Sequence, residues 1–260
     1  MINLTTGQLE TWITQMIWPF FRVGAALMVA PVFSSQAVPA RIRIVLAGAI
    51  ALILAPMITI PPQLSAFSIE GLVVTAQKVV IGIALGFSLQ LVFDAVTLGG
   101  QLIANSMGLS YAMSLDPIRG VGDTSVGELY SIFVTLVFLS LNGHLRLIEV
   151  LAGGFRTLPV GGLGFGSADL WQVVTWGGTI FSSALSIALP GITALLIVNL
   201  AFGMVSRTAP SLNLMSVGFP VTLIFGLLIL VVTVPQLLTG FERLLLEAFG
   251  LLQSLSGGRI

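Results

Sequence analysis

Cysteine is absent from the 260-residue chain, and histidine occurs once, at His144. The first absence excludes disulfides, thiolate metal sites and thiol nucleophiles, and leaves the redox compartment unreadable. The second removes the multi-histidine ligand sets that hold catalytic metals, so no metal or other cofactor is expected. Charge is scarce as well. Asp, Glu, Lys and Arg make up 8% of the residues, about a third of the ~25% usual in soluble domains, too few to clothe a water-soluble globule of this size. Ten basic residues balance ten acidic ones, so there is no basic field for phosphate backbones, and nucleic-acid binding is not expected. The first ten residues hold no Lys or Arg. They lack the basic start of a cleaved signal peptide, and the first apolar stretch is expected to stay in the mature protein.

What is abundant is apolar. The hydrophobic set accounts for 56% of the chain and 29 glycines add about 11%, against roughly 45–50% for the combined set in soluble domains. The chain reads as an all-α integral membrane protein whose few polar residues can be examined singly. A bilayer core of about 30 Å takes roughly 20 apolar residues as helix. Runs of that order occur at 12–33, 44–60, 79–107, 129–141, 170–206 and 216–241, broken only by Arg22 in the first and Asp94 in the third. About six long hydrophobic helices, several kinked, are expected.

Punctuation between the runs sets further expectations. Pro61-Pro62 ends the second run. Gly143 is expected at a left-handed position past the fourth, with Asn142 and His144 forming a helix terminus. The third and fifth runs, about 45 and 55 Å long as helix, exceed a bilayer core. Pro190-Gly191 makes the fifth either one kinked helix or two half-spans. Residues 153–167 hold six glycines and one proline, which predicts a linker (153–169) between an N-terminal part (1–152) and a C-terminal helical hairpin (170–260). Six spans place Arg41, Arg43, Arg119 and Arg207 on one side and Lys78, Arg146, Arg156, Arg243 and Arg259 on the other. So even a distribution gives no positive-inside signal and points to placement by partners. Trp12, Trp18, Trp171 and Trp176 flank the starts of the first and fifth runs, as an aromatic belt would.

Three features are candidates for function. Gly82, Gly86, Gln90, Asp94, Thr97, Gln101 and Asn105 recur every three or four residues and share one face of the third helix. This face is either intramembrane packing glue or the lining of an aqueous path or inter-subunit seam. Asp94 must be neutral, see water or pair with a cation, for which Lys78 and Arg22 are candidates. A second row, Gly178, Ser182, Ser186 and Pro190, recurs at intervals of four and reads as a close-packing face. The third feature is the segment 107–123. Its first half is apolar and carries Met107 and Met113, and its second half holds Asp116-Pro117, Gly120 and Gly122, all breaker signals. An apolar loop facing lipid would leave backbone groups unsatisfied, so the segment is a buried re-entrant connector or a constriction or plug. No catalytic constellation is present. Gly161 to Gly166 does not have the phosphate-loop pattern and reads as linker.

Taken in order, several motifs resemble one family. They are Trp18-Pro-Phe-Phe-Arg22 with Ala30-Pro31, Ala37-Val-Pro-Ala-Arg41, Ile81-Gly-Ile-Ala-Leu-Gly-Phe87, Met107-Gly-Leu-Ser-Tyr111 with Asp116-Pro117, Asn142-Gly-His144, Thr157-Leu-Pro-Val-Gly161, Arg207-Thr-Ala-Pro-Ser-Leu-Asn213 and Val217-Gly-Phe-Pro220. In this order they resemble the FliR family of flagellar type III export-gate proteins across essentially the whole chain. Asn142-Gly-His144 and Thr157 to Gly161 look more like the flagellar branch than the virulence (injectisome) branch, which stays as the alternative. The resemblance implies a non-enzymatic core subunit of the export gate in the bacterial inner membrane, at the flagellar basal body. In that family the subunit joins FliP and FliQ in a channel for unfolded flagellar proteins, with FlhB and FlhA beside it and membrane lipid around it. Residues 1–152 would then be FliP-like and 170–260 FliQ-like, with a hairpin turn at 207–216. Helices assembled largely above the bilayer plane would account for their excess length and the absent charge bias. Carried over by position, the resemblance makes Met107, Gly108, Leu109, Ser110, Tyr111, Met113, Asp116, Pro117, Arg119 and Gly120 a pore plug. Pro190, Arg207, Pro210, Asn213 and Pro220 mark the helix kink and hairpin turn. A small-solute transporter also accommodates broken helices and intramembrane polar residues, but it predicts paired repeats that the first half of the chain lacks. A purely structural scaffold would need no buried apolar loop.

Overall fold

The computed structural model describes residues 6–35, 37–58, 61, 64, 68–109, 125–162, 164–208 and 214–257, and no strand occurs among them. The helices are α1 (Thr6–Val29), α2 (Ala40–Leu54, extended by a short 3-10 turn at Ala55–Met57), α3 (Ile69–Ser106), α4 (Ser125–Ser140), α5 (Gly143–Thr157), α6 (Ser167–Gly177), α7 (Thr179–Thr208) and α8 (Leu214–Leu255). Each of the six apolar runs lies mainly on helix among the described residues, as the all-α reading requires. Among the described residues four stretches are long and apolar enough to cross a membrane: Ala40–Met57, Ile69–Ser106, Ser167–Val205 and Gly218–Leu255. The fourth run differs. α4 has 16 residues, about 24 Å of helix, and bends by 65° into α5, so this pair is a fifth span only if the two count together. α5 is amphipathic and carries Arg146, Glu149 and Arg156, which is why it does not continue the apolar run.

Several boundaries depart from the sequence expectations. α2 ends at Leu54, before Pro56 rather than at Pro61, because proline fits the first turn of the 3-10 segment but cannot extend the helix it follows. α3 begins at Ile69 and runs through Lys78. Pro190 does not break α7, which is continuous from Thr179 to Thr208; the interruption lies earlier, at Gly178. Pro220 likewise sits inside α8. Gly153 to Thr157, expected as linker, are the last turns of α5, and the described residues that follow, 158–162 and 164–166, are not helical. The left-handed residue at the α4–α5 bend is Asn142 (φ 55°), not Gly143, which opens α5. Asparagine visits this region at little cost. Gly143 is needed for another reason: a Cβ there would run into the fully buried ring of Phe138. Gly143→Ala is therefore expected to cost about 1–3 kcal/mol by overpacking, read as a lowered unfolding temperature of the detergent-solubilised protein.

The chain divides into two compact units. The first comprises Met1–Leu91, Phe138–Gly177 and Leu246–Ile260; the second comprises Val92–Val137 and Gly178–Leu245. The first unit has a core of Trp18, Val23 and Leu27 from α1, Ala47, Ile50 and Leu54 from α2, Ile58, Val74 from α3, Phe155 from α5 and Val160. Trp18 is wholly buried and donates its indole N–H to Thr75 Oγ1 at 3.2 Å. Trp176 donates to the Ser88 carbonyl at 2.9 Å. These two therefore tie α1 and α6 to α3 through indole N–H donors that find acceptors inside the protein. Trp171 is exposed. The α1–α2 connection is gathered by Arg43, whose Nη2 donates to the carbonyls of Ser34, Ser35 and Val38 at 2.7–3.1 Å. In the second unit α3 packs on α4, α7 and α8. Gly99 lies against Ala184 and Ile187, and Gly100 against Val126, Gly127 and Tyr130. Phe93 meets Phe241 edge-to-face at 5.5 Å.

Candidate functional site

The polar stripe of α3 divides by role along its length. In the first unit Gly82 and Gly86 are the places where α3 touches the backbone of α1. A Cβ on Gly82 would collide with the Arg22 carbonyl, and one on Gly86 would lie 2.5 Å from the Ala26 carbonyl oxygen. This part of the stripe is helix-on-helix packing of the small-xxx-small kind. Gln90 is half-buried. In the second unit Asp94 and Asn105 are exposed, and Thr97 and Gln101 are half-buried. Thr97 donates to its own helix, to the Phe93 carbonyl at 2.9 Å.

The cations proposed as partners of Asp94 are engaged elsewhere. Arg22 is fully buried, donates Nη1 to the Gly154 carbonyl at 3.0 Å and stacks on the Phe155 ring at 4.6 Å. Lys78, also buried, donates Nζ to the carbonyls of Leu158 (3.1 Å) and Pro159 (2.9 Å). Both close over the C-terminal end of α5, where carbonyl oxygens with a spare lone pair and the negative end of the helix dipole favour cations. Thr157 Oγ1 adds a hydrogen bond to the Ser256 carbonyl, tying in the end of α8.

Of the plug residues, Met107, Gly108 and Leu109 are described. Ser110, Tyr111, Met113, Asp116, Pro117, Arg119 and Gly120 lie outside the described residues, as do Pro210 and Asn213 of the turn. Met107 is 1% exposed. Gly108 has φ +83°, which ends α3 in the left-handed conformation that glycine adopts without a Cβ penalty. The Met107 side chain fills a notch in α8 at Gly226, where any Cβ would lie 2.4–2.8 Å from Met107 Cγ, Sδ and Cε. Thr222 Oγ1 donates to the Met107 carbonyl at 3.3 Å, and Asn199 Nδ2 of α7 donates to the Ser106 carbonyl at 3.4 Å. Thr222, Gly226 and Asn199 were not marked by any sequence motif. Their only signal is a lone glycine or polar residue within a long apolar helix.

The small-residue row of α7 is not the face packed within this chain. Ala184, Ala188, Gly191 and Leu195 are buried, whereas Gly178, Ser182, Ser186 and Pro190 are exposed, next to exposed Phe181, Leu185 and Leu189. The hydroxyls of this row bond back to their own helix, Ser182 to the Thr179 carbonyl and Ser186 to the Ser182 carbonyl. They can therefore meet an apolar partner with no donor left over. Exposure continues along α8 at Ile224, Phe225, Leu227, Leu228, Val231 and Val232. Arg207, in the last turn of α7, is exposed.

Residues 13–248 match the family described as Bacterial export proteins, family 1. The chain is 38% identical over 252 residues to the flagellar biosynthetic protein FliR of Pectobacterium carotovorum, covering 97% of this chain and 96% of that one. It is 37% identical over 252 residues to FliR of Escherichia coli K12, with the same coverage of both chains. It is 28% identical over 216 residues to FliR of Bacillus subtilis, covering 82% of this chain and 83% of that one. A membrane-suited helical chain matched over nearly its full length in this way is a component of the flagellar export apparatus and belongs to family 1 of the bacterial export proteins, the FliR family.

Proposed function

We propose that this chain is a core subunit of the flagellar type III export gate. In this reading it joins FliP- and FliQ-type subunits in a closed helical assembly in the bacterial inner membrane at the basal body, with FlhB and FlhA adjoining. The assembly conducts unfolded flagellar proteins. Residues 1–152 would provide its FliP-like part and 170–260 its FliQ-like hairpin. The observation that supports an obligate subunit is the open face of α7. Gly178, Ser182, Ser186 and Pro190 offer lipid tails little contact area, but they allow the backbone of another helix to approach closely. A chain made to face only lipid has no need of such a row.

Residues 107–123 are proposed to close the channel at rest. Deleting residues 108–120 is expected to raise leakage of ions and small solutes through the assembled gate, measured as growth inhibition by normally excluded solutes. An unchanged leak with intact assembly would sink the plug role. Co-expression with the FliP- and FliQ-type subunits should yield one complex in native mass spectra, while a stable, monodisperse solitary chain would overturn the subunit reading.

A further inference from the structure

We infer that Met107 is a releasable pin: seated in the Gly226 notch of α8, it holds the C-terminal end of α3 in the resting position, and it must leave the notch during export. This rests on the export-gate reading and adds the contact that controls it. The last turn of any helix has carbonyls without intrahelical donors. Here two of the groups at that end, the carbonyls of Ser106 and Met107, accept from side chains of α7 and α8, Asn199 and Thr222. Both bonds are long, 3.4 and 3.3 Å, at the weak end of the useful range. Thr222 has a second acceptor on its own helix, the Phe219 carbonyl at 3.0 Å. When Met107 withdraws, the hydroxyl keeps a partner, so release leaves no buried donor orphaned. The key itself is methionine, unbranched and able to repack along other irregular surfaces. Upstream, the same helix is held differently. Gly100 lies against the α4 backbone at Val126 and Gly127, and Gly99 against the Ala184 carbonyl of α7, contacts with no alternative rotamer. The end of α3 thus combines a fixed seat at Gly99 and Gly100 with a separable one at Met107.

The absence of cysteine makes the test direct. A Cβ at Gly226 would lie 2.6 Å from Met107 Cγ; adding one C–C bond of about 1.5 Å, the two Cβ atoms are at most about 4.1 Å apart, within disulfide reach. Cells carrying the Met107→Cys, Gly226→Cys double variant in the complete export apparatus should secrete flagellar proteins when reduced. On oxidation with copper phenanthroline secretion should fall at least about tenfold, because the crosslink removes the released state, and reductant should restore it. The unaltered, cysteine-free chain under the same oxidant controls for other targets. Undiminished secretion from a chain shown to be crosslinked would overturn the pin. If the double variant does not accumulate, Met107→Ala decides: a severalfold rise in resting solute leak at normal abundance supports the pin, and an unchanged leak overturns it. Failure of the export-gate reading looks different, since the chain would then stay solitary and monodisperse on co-expression with FliP- and FliQ-type subunits.

Discussion

Gly86→Ala is expected to lower the unfolding temperature of the detergent-solubilised chain by roughly 6–12 °C, and Gly86→Leu to prevent accumulation of the folded protein. The cause is geometric. The new Cβ would lie 2.5 Å from the Ala26 carbonyl oxygen, 3.1 Å from the Ala30 nitrogen and 3.3 Å from the Ala26 carbonyl carbon. All three are backbone atoms of α1 or the turn that follows it, so no side chain can rotate away, and α1 and α3 must separate. One turn earlier Gly82 meets the Arg22 carbonyl in the same way, so the two helices cannot pivot about one contact to relieve the other. Overpacking a rigid site costs about 1–3 kcal/mol and occasionally more; at ~2–4 °C per kcal/mol for a chain of this size, about 3 kcal/mol gives the stated shift. Gly48→Ala in α2 is the control. A Cβ there has nothing within 4 Å, so the substitution should stabilise the helix by about 0.5–1 kcal/mol through reduced backbone freedom. Thermal melts of the two variants beside the parent check both signs, and a Gly86→Ala protein that melts no lower than Gly48→Ala would refute the close α1–α3 packing.

The helices were legible because apolar runs and small-residue spacing are local signals. Where the expectation missed, the deciding contact was distant. Lys78 looked like the end of a span, yet α3 runs through it because Nζ reaches two carbonyls beyond α5, an acceptor that hydropathy cannot show. Pro190 left one helix and two half-spans both open; α7 continues through it, with Gly191 packed on Ile103 and Ile229, a contact the sequence does not show. The periodicity of the α3 stripe correctly marked Gly82 and Gly86 as a contact face, but gave no sign that the partner was α1. Asp94 drew attention as a lone carboxylate in an apolar helix, while Arg22 and Lys78 appeared only as its possible partners. Their own role, closing the end of α5, depends on segments that lie far apart in the chain. Met107 was marked by its loop. Its notch at Gly226 was one glycine in a run of leucines, and nothing in the sequence ties the two together.

At Arg22 the substitution that keeps the charge is expected to do more harm than the one that removes it. The guanidinium is fully buried, and among the described residues it has no carboxylate partner. Its Nε and Nη2 are buried without a hydrogen-bond partner, and Lys78 is close enough to repel it. What offsets the desolvation is specific to arginine: one charge-assisted bond to the Gly154 carbonyl and stacking on Phe155, worth about 1.5–3 and up to ~2 kcal/mol respectively. Lysine keeps the buried charge and loses the planar group that makes both contacts, since an ammonium neither forks nor stacks in the same way. Arg22→Lys should therefore cost about 3 kcal/mol, a shift of roughly 6–12 °C. Arg22→Met removes the charge and its repulsion of Lys78 while filling much of the same volume. The Gly154 carbonyl still accepts from the Leu158 N–H at 3.0 Å, so this variant should stay within about 1 kcal/mol of the parent, as apolar replacements of buried ions often do. Unfolding of both variants in detergent, followed by the fraction remaining monodisperse on heating, gives the order. If Arg22→Met proves the less stable of the two, the charge itself, and not the geometry of the guanidinium, holds the end of α5.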